Sequence, residues 1–130
     1  MSPYAVIINL PLVNGEVPDL RESVGWERHD QYYPELLDRT IFWAGVRNEL
    51  GRLVGFGNIT GPGMPHGYME DIIVHSEYQS KGIGKELVQR LLEEAKLRKI
   101  GMVTVSFDTR NGGFYERCGF SISGGGLWVN

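Results

Sequence analysis

The sequence predicts a single α+β domain over residues 1–130, and three observations point to it. Short apolar runs bounded by Gly, Pro, Asn and Asp come first, and a strand–helix–strand unit follows. One segment after residue 82 repeats apolar residues at helical spacing. The link into that segment is Val74-His75-Ser76-Glu77-Tyr78-Gln79-Ser80-Lys81-Gly82-Ile83-Gly84-Lys85, a turn with two glycines.

Taken in order, residues 4–9 read as a first strand, after which Asn14-Gly15 turns the chain. Pro18 and Asp19 suit the opening turn of a short helix. A second helical piece is expected over 34–39, with Leu36 and Leu37 on its buried side. Residues 41–47 and 53–60 read as two strands, and Asn48-Glu49-Leu50-Gly51 between them as a hairpin turn. Gly61-Pro62-Gly63-Met64-Pro65 excludes regular structure and leads into a strand over 68–74. The following helix carries Ile83, Leu87, Leu91 and Ala95 on one stripe, with Val88 and Leu92 beside it. Gly101 is expected to end it. Val103, Val105 and Phe107 then alternate with Met102, Thr104 and Ser106 as a half-buried strand. A short helix near 114–117, closed by Gly119, and strands at 120–122 and 127–129 complete a sheet of six to seven strands.

Composition excludes several classes of function. The net charge of −3 gives no basic stripe for nucleic acid. Residues 4–8 are too short to span a membrane, and they lack a basic leader and a small-residue cleavage site. Cys118 is a lone cysteine and forms no internal disulfide. A cytoplasmic setting without membrane contact follows. His29, His66 and His75 have no ligand spacing, so no metal is expected.

The glycine turn makes an anion site. The first N–H groups of a helix lack intrahelical partners, and the helix dipole adds partial positive charge there. Gly82 and Gly84 let a bulky diphosphate approach the main chain, while Lys81 and Lys85 add charge at the rim. Other phosphate motifs fail: no G-x-x-x-x-G-K-[ST] is present, and Leu87 stands where G-x-G-x-x-G needs its third glycine.

Gln79-Ser80-Lys81-Gly82-Ile83-Gly84 resembles the Q/R-x-x-G-x-G/A signature of the GNAT superfamily of N-acetyltransferases. Asp71-Ile72-Ile73-Val74 resembles that family's cofactor-contacting strand, and Phe114-Tyr115-Glu116-Arg117-Cys118-Gly119-Phe120 its F-Y-x-x-x-G-F segment. The likeness covers roughly the C-terminal half. It implies the acyl-CoA N-acyltransferase fold: a mixed, mostly antiparallel sheet flanked by helices and splayed at the cofactor strand.

The resemblance also implies acetyl-CoA as acyl-donor cosubstrate. Its pantetheine arm is expected against Ile72, Ile73 and Val74, and its pyrophosphate on Gln79, Ser80, Lys81, Gly82, Ile83, Gly84 and Lys85. A backbone N–H near Val74 would polarise the thioester carbonyl. Tyr115 matches the tyrosine whose hydroxyl lies near the thioester sulfur. An alkyl amine is mostly protonated at neutral pH, so a base is needed. Glu70 and Asp71 are the nearest carboxylates, and on a regular strand they point oppositely.

Many relatives carry an asparagine further ahead of the tyrosine. Here Asn111-Gly112-Gly113 leads almost directly into Phe114, so Asn111 is a candidate for the cofactor arm or part of a glycine-rich loop. Trp26, Tyr32, Tyr33, Phe42 and Trp43 are candidates for an acceptor wall or for core. The expected reaction moves an acetyl group to a primary amine of a small molecule or peptide in a ternary complex. The alternative is a non-catalytic acyl-CoA sensor or assembly module on the same fold. A short last strand after Gly124-Gly125-Gly126 leaves room for a partner subunit, as in a homodimer, to complete the sheet edge.

Overall fold

A computed structural model describes residues 3–130. Its centre is one five-stranded sheet in the order β1 (Val6–Ile8), β2 (Phe42–Arg47), β3 (Leu53–Thr60), β4 (His66–Val74), β5 (Met102–Val105). The first four pair antiparallel and β5 runs parallel to β4, as a strand–helix–strand crossover requires.

Alternation along β2, and along β3 on either side of a register shift that leaves Val54 as an extra residue opposite Val46 and Arg47, sends side chains to two cores. Phe42, Ala44, Val46, Val54 and Ile59 meet Ile83, Leu87, Val88 and Leu91 of α3 (Ile83–Leu97). Phe56, Leu53 and Ile73 meet Val17 and Leu20 of α1 (Glu16–Ser23) on the other face. The short α2 (Glu35–Asp38) lies on that second side, where Leu37 and Tyr33 pack against the cluster.

The end of α3 differs from expectation. Lys99, with φ 62°, takes the left-handed position that Gly101 was expected to supply. The N–H groups of Lys99 and Ile100 donate to the carbonyls of Lys96 and Ala95, a Schellman closure that satisfies the last turn. Glu94 holds both Arg90 and Arg98 at 3.2 and 2.9 Å along the outer face.

Two expected strands do not form. No helix or strand follows Gly119, so the sheet has five strands rather than six to seven. Ser121, Ser123 and three consecutive glycines supply no continuous apolar face there, and Leu127, Trp128 and Val129 are exposed. Gly112 and Gly113 are also not a loop. They open α4 (Gly112–Arg117), with Asn111 as its N-cap residue.

Leu87 is wholly buried between α3 and the sheet. Leu87→Ala should therefore cost about 2–5 kcal/mol of stability in urea unfolding. A loss under about 1 kcal/mol would show that α3 is not locked onto the sheet.

Candidate active site

A bulge in β4 makes the wedge. Phe56 pairs with Ile73 and Asn58 with Glu70, so Asp71 and Ile72 together face Gly57. Gly57 suits this because a Cβ there would lie 2.5 Å from Ile72 Cδ1. Asp71 sits at φ 54°. Its carboxylate accepts from Arg21 Nη1 at 3.1 Å and from the Tyr33 hydroxyl at 2.7 Å, which anchors the bulge to the α1 side. The expectation that Glu70 and Asp71 point oppositely is overturned for the same reason: the extra residue brings both carboxylates to one cleft.

Past the bulge β4 leaves β5. Parallel pairing runs from His66 with Met102 to Met69 with Val105 and stops, leaving residues 70–74 with no β5 partner. The His75 N–H donates to the Val54 carbonyl at 2.8 Å, so by alternation the Val74 main-chain groups point away from β3, into the wedge. Gln79 Nε2 donates to the Val74 carbonyl at 3.1 Å and ties the turn to the strand.

The wedge opens onto the first turn of α3. Gly82 caps that helix at φ 85° with no side-chain hydrogen bond, and its carbonyl is first used by the Glu86 N–H at 3.2 Å. The N–H groups of Ile83, Gly84 and Lys85 consequently have no intrahelical acceptor. A Cβ at Gly82 would meet nothing, so the space over these amides is free for a ligand. Gly84 is packed differently, with its missing Cβ 3.4 Å from Phe114 Cζ. That contact seats α4 against α3.

Tyr115 of α4 stands where two cavities meet. A cavity of about 650 Å³ runs from Ile72 and Val74 past Gln79, Ser80 and the start of α3. One of about 390 Å³ on the other side holds Glu70 and Asp71. Tyr115, Ile72 and Asn111 line both. The Tyr115 ring stacks on Phe107 at 4.8 Å and meets Phe114 and Phe120 edge-on. Desolvation within this aromatic setting, with smaller contributions from Cys118 and Tyr68, pushes its phenol up to about 12. It therefore keeps its proton throughout the neutral range.

Glu70 shifts upward as well. Desolvation is the largest cause, the neighbouring Asp71 charge adds to it, and Arg21 partly offsets both. The Cys118 thiol is buried and raised chiefly by desolvation, although Lys85 and Arg117 oppose the shift. A raised thiol is a poor nucleophile.

Residues 12–120 match the family model described as Acetyltransferase (GNAT) family. The chain belongs to that family. It is 31% identical over 111 residues to an uncharacterised N-acetyltransferase, ycf52-like, of Prochlorococcus marinus, covering 82% of this chain and 62% of that protein. The chain thus spans about three fifths of the length of that curated relative. A GNAT family acetyltransferase of Streptococcus pneumoniae superposes with a TM-score of 0.83 at 24% identity, over 98% of each chain. The GNAT family N-acetyltransferase YhbS of Escherichia coli, solved in complex with CoA, gives 0.77 at 16% identity over 93% of this chain and 70% of that one. Both likenesses concern the fold.

Within this family member, the sequence-derived residues separate. Ile72, Val74, Gln79, Ser80, Gly82, Ile83, Gly84, Lys85, Asn111 and Tyr115 line the larger cavity. Ile73 does not: it is buried among Val17, Leu20 and Phe56 on the α1 face. Lys81 is exposed and lines neither cavity. Arg21 was missed, Tyr33 was considered only for an acceptor wall or for core, and no local signal marks either as a partner of Asp71, since they lie 50 and 38 residues from it. Of the five aromatics considered for an acceptor wall, Trp26 lines the smaller cavity, whereas Phe42 and Trp43 pack in the cores. Among the described residues, no group of three His, Cys, Asp or Glu side chains is placed to hold a metal, and no helix is long and apolar enough to cross a membrane.

The Arg21 and Asp71 side chains are only 10% and 22% exposed. Asp71→Ala should therefore strand a largely buried guanidinium and lower stability by about 1–3 kcal/mol. An unmoved denaturation midpoint would show that the bulge does not depend on this anchor.

Proposed function

We propose that this chain is an acetyl-CoA-dependent N-acetyltransferase that delivers an acetyl group to a primary amine of a small molecule or peptide by direct attack in a ternary complex. The observation that carries this reading is the position of Tyr115 between two cavities, one ending at free helix amides and the other at a carboxylate. A sensor of acyl-CoA needs only the first. The free N–H groups, the uncapped Gly82 and the unpaired edge of β4 fit a nucleotide thioester with an extended arm.

Bound acetyl-CoA supplies an acetyl group already activated as a thioester. The N–H groups of Ile83, Gly84 and Lys85 hold its diphosphate, with the Lys85 ammonium beside them. The Val74 main chain aligns the arm as an added strand would, and its N–H is the donor to the acyl carbonyl. Asn111 and Ile72 lie at the junction of the cavities and border the acyl end. Glu70 accepts a proton from the incoming ammonium, which exposes the nitrogen lone pair. Its raised affinity for a proton suits it to that task near neutrality. Asp71, held by Arg21 and Tyr33, stands beside Glu70 and adds to that upward shift. Tyr115 gives its proton to the departing sulfur, and the second proton that the attacking nitrogen sheds as the amide forms restores the phenol. The lone, buried Cys118 takes no part, and together with the absence of a membrane-crossing helix among the described residues it supports a cytoplasmic setting.

Calorimetry and initial rates test this assignment. Gly82→Val should weaken CoA binding at least about tenfold, because a branched residue both resists φ 85° and covers the amides. Undiminished affinity would place the diphosphate elsewhere. Tyr115→Phe should lower kcat at least about tenfold with CoA affinity kept, and an unchanged kcat would remove Tyr115 from the acid role. In wild type, kcat/KM should rise with pH through a group titrating above the ordinary carboxylate value of about 4.3, since the active base is the deprotonated form. Glu70→Gln should abolish that limb. Persistence of the limb in the variant would assign it to another group. Initial-rate lines that intersect, with activity retained in Cys118→Ser, indicate direct transfer; parallel lines would contradict it.

A further inference from the structure

The glycine turn ahead of α3 is supported by a residue that lies outside the cavity it serves. Between positions 79 and 82 the main chain enters the left-handed region at Ser80, with φ 65°, and again at Gly82, with φ 85°. Glycine adopts that conformation freely and serine does not, so the course of the turn depends on what holds its two ends. Its far end is fixed by α3. Its near end follows Tyr78, the last residue of a single 3₁₀ turn over Ser76–Tyr78.

Tyr78 is gripped from several directions. Its ring meets Tyr4 edge-on at 5.9 Å and His75 at 5.8 Å, and its N–H donates to the His75 carbonyl at 2.8 Å. Its hydroxyl accepts from Asn48 Nδ2 at 2.9 Å. Asn48 belongs to the turn between β2 and β3, 30 residues away in the chain. It is buried, and it lines neither cavity. The orientation of its amide is set, because Oδ1 already accepts from the Leu50 and Arg52 N–H groups at 3.0 and 2.9 Å and leaves Nδ2 to face Tyr78. Tyr78 itself lines the larger cavity beside Gln79 and Ser80. The hairpin turn thus reaches the wall of that cavity through one hydrogen bond. Gln79 adds a second tie, to the Val74 carbonyl at 3.1 Å, but from an exposed side chain whose place water can take.

We propose that Asn48 is a positioning residue: by holding the Tyr78 hydroxyl it keeps residues 79–82 in their left-handed course, so that the N–H groups of Ile83, Gly84 and Lys85 face the cavity before a ligand arrives. The inference rests on the reading of that cavity as the seat of a diphosphate. A turn already in its bound shape spares the ligand the cost of ordering it. The link is durable because a buried amide donor that loses its acceptor finds no water to replace it.

Two substitutions cut the link from either end. Tyr78→Phe removes only the hydroxyl and keeps the ring between Tyr4 and His75. Asn48→Ser keeps an oxygen for the hairpin N–H groups, as serine does in such turns, and has no donor long enough to reach Tyr78. Titration calorimetry of the full chain with CoA should give a Kd at least about threefold higher for each variant, and about the same Kd for the double variant as for Tyr78→Phe alone, because both changes remove one bond. Deuterium exchange over residues 79–85 without ligand should quicken at least about threefold, while exchange in β3 holds. A lowered Tm with unchanged Kd and unchanged exchange over 79–85 would show that the bond serves only the stability of the fold, and would overturn the inference. A double variant in which the two effects multiply would overturn it too, since the residues would then act separately. If the wild-type chain gives no heat with CoA, the diphosphate reading fails, and the exchange measurement still decides whether Asn48 holds the turn. Should Asn48→Ser not fold, Tyr78→Phe alone is read by the same two measurements.

Discussion

The bulge at Asp71 and Ile72 is the constraint from which the rest of the site follows. One extra residue in β4 bends the strand away from β5, frees the Val74 main chain on its outer edge and turns two adjacent carboxylates into one cavity. A left-handed aspartate is unfavourable by itself. It persists because Arg21 from α1 and Tyr33 ahead of α2 both bind its carboxylate, so the strain is stored where three elements meet.

Electrostatics then divides the cleft. The cavity at the start of α3 is made positive by that helix end and by Lys85 and Arg117, while the cavity on the other side of Tyr115 carries Glu70, Asp71 and Asp108. Tyr115 stands on the boundary in an apolar nest of Phe107, Phe114 and Phe120, which keeps its proton in place. Desolvation raises both Tyr115 and Glu70. In the proposed reaction its consequences differ, because one group is to give a proton and the other to take one.

Much of this was legible in the sequence because the signals are local. Ile83, Leu87, Leu91 and Ala95 recur at helical spacing, and the structure buries all four. The facing ends of β2 and β3 follow from the Asn48–Gly51 turn between them. The two glycines of the anion turn have distinct structural reasons, a left-handed φ at Gly82 and a close approach to Phe114 at Gly84, and both could be anticipated in kind. The readings that failed required knowledge of neighbours. Ile73 looked equivalent to Ile72 and Val74 until the bulge assigned it to the opposite core. Strands were expected at 120–122 and 127–129, yet a strand needs a partner edge and an apolar face, and the tri-glycine segment offers neither.

By itself the sequence determined the fold class and the position of the glycine turn, since periodicity and glycine placement act over a few residues. Only the tertiary structure decided which carboxylate is held by an ion pair and which is not. Asp71 is captured by Arg21 and Tyr33 across 50 and 38 residues, Glu70 is left open next to Asn58, and contacts of that range are set by how α1 and the segment before α2 pack on the sheet.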